Sequence, residues 1–251
     1  VSYNNIKMIP KVIYRSWFTQ NMPPKVDKAI KRLKKLNPEY DHVIYTDSQI
    51  EDFVNANFDE EIKKAFNSLE HIVPKVDFWR YLILHKNGGI YVDIDSSVNE
   101  PLNKIIDPGN EAIVSAETNQ DNFVQWGLFF KKEHPILKEV IEIVTNNINK
   151  NLYPNYLINA EDLIKLTAGG PFTKAIETIH KKYFNKDLIW SEINDKTDLL
   201  FEFNDDLESF NYRLLGVDFN GKLTWKAKES YQLYNLKQHW LKDLEDNSKL
   251  K

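Results

Sequence analysis

Gly88-Gly89-Ile90-Tyr91-Val92-Asp93-Ile94-Asp95 is the stretch on which the reading of this chain turns. Ile90, Val92 and Ile94 alternate with Tyr91, Asp93 and Asp95, which is the period of a β-strand. The spacing therefore predicts a strand over 90–95 with three apolar side chains on one face and a phenol and two carboxylates on the other. Two acids at spacing two repel each other unless a cation or ligand lies between them. Oxygen donors of this kind suit Mg²⁺ or Mn²⁺, ions that commonly hold phosphates.

On its N-terminal side the strand is fed by a helix. Pro74 suits a first helical turn, and Gly88 supplies a left-handed stop. Within that helix Asp77, Arg80, Tyr81 and Leu84 share one side by the i, i+3, i+4 rule. Further upstream, residues 10–18 read as a first strand. Val26, Ile30, Leu33 and Leu36 mark an amphipathic helix ended by Asn37-Pro38, and residues 42–45 form a second short strand. Thr46-Asp47-Ser48 then carries the capping residues of another helix.

Downstream, strands are predicted near 112–116 and 125–130, and a helix from about 135 to 147. A further helix is entered through Thr167-Ala168-Gly169-Gly170-Pro171. Asn220-Gly221 between residues 217–219 and 222–225 signals a type I′ hairpin, and a last helix is expected near 237–245. The alternation of strands and helices in the first half argues an α/β fold with a mixed sheet, elaborated by a C-terminal hairpin and helix. No repeat, low-complexity tract or linker divides the chain.

Composition narrows the function. A net charge of −4 argues against nucleic-acid binding, which calls for a basic face. The chain has no cysteine, so thiolate metal sites, disulfides and cysteine catalysis are excluded. It has no apolar run long enough for a membrane span. These features fit the cytoplasm of a bacterium or of a virus-infected host, and a preceding membrane anchor would place the chain in the Golgi lumen instead.

Several segments together resemble a known family. Ile9-Pro10-Lys11-Val12-Ile13 with Trp17 is similar to its opening strand. Asn37-Pro38-Glu39-Tyr40 and Tyr45-Thr46-Asp47 are similar to its second strand region. Lys75-Val76-Asp77-Phe78-Trp79-Arg80-Tyr81 and the acidic strand are similar to its signature, and Gly170-Pro171 matches a later helix start. This is the DXD-containing sugar transferase family of the yeast initiating α-1,6-mannosyltransferase and bacterial capsular polysaccharide transferases. Its core is shared with the glucosylating clostridial toxins. The likeness is dense over residues 9–101 and thin beyond.

The resemblance implies one GT-A domain over 1–251, with a nucleotide-sugar-binding core at 9–101 and the acceptor side and C-terminal closure at 102–251. It implies transfer of a hexose from a UDP- or GDP-sugar to a glycan or glycolipid hydroxyl, as in polysaccharide biosynthesis. Mn²⁺ or Mg²⁺ dependence and retained anomeric configuration come with it. Asp95 becomes the first metal ligand, with Asp93 beside it as a second ligand or a contact to the donor. Asp77 and Arg80 either form a plain helix salt bridge or hold donor sugar hydroxyls. Tyr91 and Gly170 fall on the donor side.

Trp17 is either core or a ring stacked on the base. Asp47 either caps a helix or touches the donor. Gln125 or Asn122 is the candidate polar group beneath the anomeric carbon. The family often carries a Ser-Trp pair near the C-terminus with a His a few positions earlier. Here His239-Trp240 matches only in part, with Tyr234 near the usual His position, so His239 or Asn235 completes the metal site and Trp240 closes on the donor.

Two rivals stand beside this reading. A haloacid-dehalogenase-type phosphatase also ends a strand in Asp-x-Asp, and would recruit Asp205-Asp206 and Ser97. A module that binds nucleotide sugar without catalysis is the other.

Overall fold

The computed structural model describes residues 8–18, 22–118, 122–205 and 207–225. β1 (Val12–Ser16), α1 (Pro24–Leu36) and β2 (Asp41–Tyr45) form the first unit, with β1 parallel to β2. Next come α2 (Asp47–Asn57), α3 (Glu60–Ser68), α4 (Ile72–Asn87) and β3 (Gly89–Val92), and β3 returns to the opposite side of β1, again parallel. β1 is therefore a topological switch point, where the two crossovers part and leave a crevice at the carboxyl ends of the strands.

The remaining elements are β4 (Ser96–Val98), β5 (Ala112–Ala116), β6 (Gly127–Phe130), α5 (Pro135–Asn149), α6 (Ala160–Leu166), α7 (Gly169–Phe184), β7 (Asp198–Asn204), β8 (Ser209–Val217) and β9 (Leu223–Trp225). Among the described residues the main sheet has seven strands in the order β2-β1-β3-β6-β5-β8-β7, and it is mixed, as the alternation predicts. No helix among the described residues is long and apolar enough to cross a membrane.

The period-2 pattern holds through the central strands. Tyr14, Tyr91 and Leu128 join the core shared with α2, α4, α5 and α7. Ile13, Ile90, Val92 and Phe129 join the core on the opposite face, which includes Leu33 of α1. α4 is buried almost all round, from Asp77 through Leu84, so it shows no amphipathic stripe. Its end is tight. Gly88 has φ 66°, and a Cβ there would lie 2.6 Å from the Lys132 nitrogen. Gly89 has φ 112°, with Val12 Cγ1 2.7 Å from where its Cβ would be. Only glycine fits both demands, which is why this helix turns into its strand within two residues.

Two expectations are corrected. The strand over 90–95 ends at Val92, because its antiparallel partner β6 begins at Gly127 opposite that residue. Asp93, Ile94 and Asp95 form a turn, closed by Ser96 N donating to the Asp93 carbonyl at 3.0 Å.

The hairpin expected at Asn220-Gly221 does not form. Asp218, Phe219 and Asn220 all have positive φ (45°, 55° and 54°), and Phe219 is fully buried against Trp126 and Phe129. A two-residue turn needs two such residues; this longer run carries the chain away from β8, so β9 pairs antiparallel with β4 instead. The hairpin that does exist is β7–β8. The helix near 237–245 lies outside the described residues.

Candidate active site

A cavity of about 400 Å³ opens at the carboxyl ends of β1 and β3. Its lining includes Ser16, Trp17 and Phe18 after β1, Asp47 at the start of α2, Asp77 and Arg80 on α4, and Asp93 and Asp95 in the turn after β3. Glu117, Asn122, Gln125 and Ala168–Gly169 close the side toward α7. A larger hollow, about 710 Å³, lies between α3 and α5 and is lined by none of these residues.

Arg80 organises the floor. It is 5% exposed, and its Nη2 pairs with Asp77 Oδ1 at 2.8 Å. Its Nη1 donates to Gln125 Oε1 at 2.7 Å and to the Gln125 carbonyl at 3.1 Å, and lies 3.5 Å from Asp93 Oδ1. The guanidinium also stands 4.6 Å over the Tyr91 ring. Tyr91 donates its hydroxyl to Asp93 Oδ1 at 2.6 Å. Asp77 accepts from Thr167 Oγ1 at 3.3 Å and from Gln125 Nε2 at 3.4 Å. Tyr81 donates to the Ala168 carbonyl at 2.9 Å, tying α4 to the start of α7.

The electrostatics follow from one cation shared between two acids. Burial works against the charge of Arg80, but the carboxylates of Asp93 and Asp77 outweigh it and raise its pKa, so it stays ionised. Burial raises the Asp77 carboxyl, and Asp93 adds to that effect while Arg80, Gln125 and Thr167 oppose it. Burial also holds the Tyr91 phenol well above its ordinary range, so it remains a donor to Asp93.

The expected residues fall as follows. Asp77, Arg80, Tyr91, Asp93 and Gln125 form one hydrogen-bonded group, and Asp95 borders the same cavity. The Asp77–Arg80 pair is a buried ion pair wired to the acidic turn, and an exposed helix bridge is ruled out. Trp17 is 5% exposed, packs with Val26, Ile30 and Ile94, and also borders the cavity; Phe18 beside it is 47% exposed. Thr46, and not Asp47, caps α2: its hydroxyl accepts from Gln49 N and Gln49 answers to Thr46 N, leaving Asp47 on the lining.

Asn122 lines the same cavity, accepts from Thr173 Oγ1 at 3.4 Å and packs against Gly169. Gly170 sits behind Gly169, where its Cβ would lie 3.0 Å from the Ile164 carbonyl, and it does not line the cavity. His239, Trp240, Asn235 and Tyr234 lie outside the described residues. Asp205, the phosphatase candidate, accepts from the backbone of Leu207 and Glu208 in the β7–β8 turn, at the far edge of the sheet.

Sequence reading missed four contributors. Tyr81 stood in the signature helix and Thr167 at the entry to a later helix, but neither was given a role, and nothing marked Glu117. Arg15, within β1, is the fourth; a period-2 count places it on the face of Ile13 and Trp17, where a charge is unexpected.

Among the described residues no group of three or more acids or histidines could hold a metal by itself. The donor set fits a divalent ion all the same. Mg²⁺-like ions are commonly held by one or two carboxylates together with substrate phosphates. Asp95 and Asp93 border the cavity, and Asp93 is fixed by Tyr91 and Arg80.

A mixed sheet with a switch point at β1, and an acidic turn beyond β3, is the GT-A class of glycosyltransferase fold. The structure of PaToxG Glycosyltransferase shares it, with a TM-score of 0.56 over 68% of this chain and 70% of that one, at 21% identity. Within that class, residues 23–113 match the family described as "Glycosyltransferase sugar-binding region containing DXD motif", so the resemblance carried by the motifs is established over that stretch.

Named relatives include Inositol phosphoceramide mannosyltransferase 3 of Schizosaccharomyces pombe, 30% identical over 55% of this chain and 38% of that protein. Initiation-specific alpha-1,6-mannosyltransferase of Candida albicans is 27% identical over 57% of this chain and 44% of that protein. The matched stretch thus spans less than half the length of either relative.

Proposed function

We propose that this chain is a retaining, metal-dependent glycosyltransferase that moves a hexose from a nucleotide-diphosphate sugar to a glycan or glycolipid hydroxyl. The observation that carries the reading is the hydrogen-bonded group of Asp77, Arg80, Tyr91, Asp93 and Gln125 on the floor of the cavity that Asp95 borders. Its members come from α4, β3 and the approach to β6, a convergence that packing alone does not require.

In this reading residues 9–101 bind the donor, and the later residues form the acceptor side. Asp95, with Asp93 beside it, would hold Mn²⁺ or Mg²⁺, and the bound ion supplies positive charge to the departing diphosphate. Asp77 and Arg80 orient the donor sugar through its hydroxyls, Arg80 by a rigid fork of donors. Arg80 Nε is buried without a hydrogen-bond partner among the described residues, a donor that a ligand oxygen would satisfy. Gln125 presents a neutral amide beneath the anomeric carbon. Trp17, with Phe18, and Asp47 border the nucleotide. Mannose is the sugar suggested by the relatives' names, which makes GDP-mannose the first donor to test, ahead of UDP-hexoses.

Calorimetry with GDP, UDP and their sugars, with and without Mn²⁺, tests the binding half. Micromolar, Mn²⁺-dependent binding of one nucleotide sugar, followed by its slow hydrolysis or transfer, is the expected result. Tight binding with neither reaction would favour the non-catalytic module. Glu117, a further carboxylate on the lining, is the group an inverting rival would use as base. The anomeric configuration of the product, read by NMR, decides between the two stereochemistries.

A further inference from the structure

We infer that Arg15 is the resident counter-charge of the Asp93–Asp95 turn: it anchors the turn through Ser96 and weakens the hold of the two acids on a lone divalent cation. This inference rests on the metal reading above. Arg15 lies in β1 and is 3% exposed. Strand alternation places it on the face of Trp17, whose neighbours Val26, Ile30 and Ile94 are apolar. Its Nη2 donates to the Ser96 carbonyl at 3.1 Å, across 81 residues of sequence. Its Nε and Nη1 are buried with no hydrogen-bond partner among the described residues.

A buried guanidinium so poorly satisfied needs a compensating field. The Ser96 carbonyl that it binds lies one residue beyond Asp95, which sets the guanidinium against the acidic turn, and Asp93 and Asp95 oppose the lowering of its pKa by burial. The acids therefore stabilise Arg15, and by reciprocity Arg15 stabilises the acids.

The same arithmetic acts on any ion those acids receive. A positive charge fixed beneath the turn repels an arriving cation, while Arg80 already shares Asp93 from the α4 side. Before ligand arrives, Arg80 holds Asp93 and Arg15 holds the turn through Ser96, so the acids do not depend on a metal for their shape. A bare ion then binds weakly, and the diphosphate brings the negative charge that completes its site. Donor and ion load together.

Electron paramagnetic resonance of free Mn²⁺, titrated into nucleotide-free protein, reads this directly. Arg15→Gln keeps an amide donor for the Ser96 carbonyl and removes the charge; its Mn²⁺ dissociation constant is expected to fall by about fivefold. Arg15→Lys keeps the charge and is expected to match the parent to within about twofold. A residue that only props the turn would give weaker Mn²⁺ binding when replaced, the opposite sign. Unchanged or weaker binding in a folded Arg15→Gln protein overturns the inference. If that variant does not fold, Arg15→Lys decides alone: parent-like affinity supports the inference and weakened affinity overturns it. A parent protein that binds no Mn²⁺, with or without nucleotide, defeats the metal reading itself and this inference with it.

Discussion

At the β2-β1-β3 end of the sheet one buried cation serves two acids: Arg80 with Asp77 and Asp93. Toward the β8-β7 end buried Glu111 is paired with Lys131, and two buried histidines are neutral. His180 is 1% exposed, shares a hydrogen bond with the Tyr212 hydroxyl, and is ringed by Phe184 and Phe201. His134 is fully buried, capping α5 through Ile136 N and facing the Asn211 carbonyl. Burial depresses both, His134 to about 3 and His180 to about 4. The distal end is organised for stability, with each ring content in its uncharged form. The proximal end instead shares one cation between two acids beside a cavity, the arrangement that the proposed donor site would use.

The most severe way to test that contrast is Asp95→Ala. Transfer is expected to fall about a thousandfold in kcat/KM with only a small drop in melting temperature, because Asp95 is part-exposed on a turn and Asp93 still compensates Arg15. Equal loss of stability and activity would erase the distinction between the two ends. Arg80→Met should damage both properties. It leaves Asp77 buried and unpaired, so a loss of about 3 kcal/mol in urea unfolding is expected together with loss of donor binding.

Acid titration probes the distal end. A histidine whose folded pKa is depressed binds its proton mainly in the unfolded chain, so its neutral burial costs nothing above pH 6.5 and stability is lost as pH falls below that value. At pH 5 each of His134 and His180 is expected to cost about 2 kcal/mol. His134→Asn retains a capping group and does not titrate, so it should remove about 2 kcal/mol of the drop seen between pH 7.5 and 5 in urea midpoints. An unchanged drop would mean that His134 is not held neutral. The mildest test is Tyr91→Phe, which deletes one hydrogen bond to Asp93 and is expected to cost about 1 kcal/mol, seen as weaker donor binding by calorimetry.

The proximal end was the more readable in sequence, and the reason is local. Helix cap, helix stop, acid spacing and the Asp77–Arg80 interval all lie within 24 consecutive residues, 72–95, so periodicity and capping rules reach across them. Arg15 escaped because its partner is Ser96, far along the chain, and the one local sign, its place on the face of Ile13 and Trp17, names no partner. The strand of β9 was read but its partner escaped for the same reason, since its pairing with β4 spans more than a hundred residues and the Asn220-Gly221 signal pointed to a nearer partner. β7–β8 did carry a usable signal. Phe201 and Phe203 alternate on one side of a polar turn, and Phe210 and Tyr212 on the other. That pattern went unread because a stronger dipeptide signal lay just beyond it.

Ile94 stands between the two acids and is only 8% exposed, packed with Trp17, Val26 and Ile30. The middle letter of Asp-x-Asp is therefore not free in this chain. It acts as a peg seated in an apolar socket beside α1, and the two carboxylates swing from it like the arms of a bracket. A polar residue in its place would release the peg while leaving both acids present. The variant would keep its motif on paper and lose the alignment that gives the motif meaning.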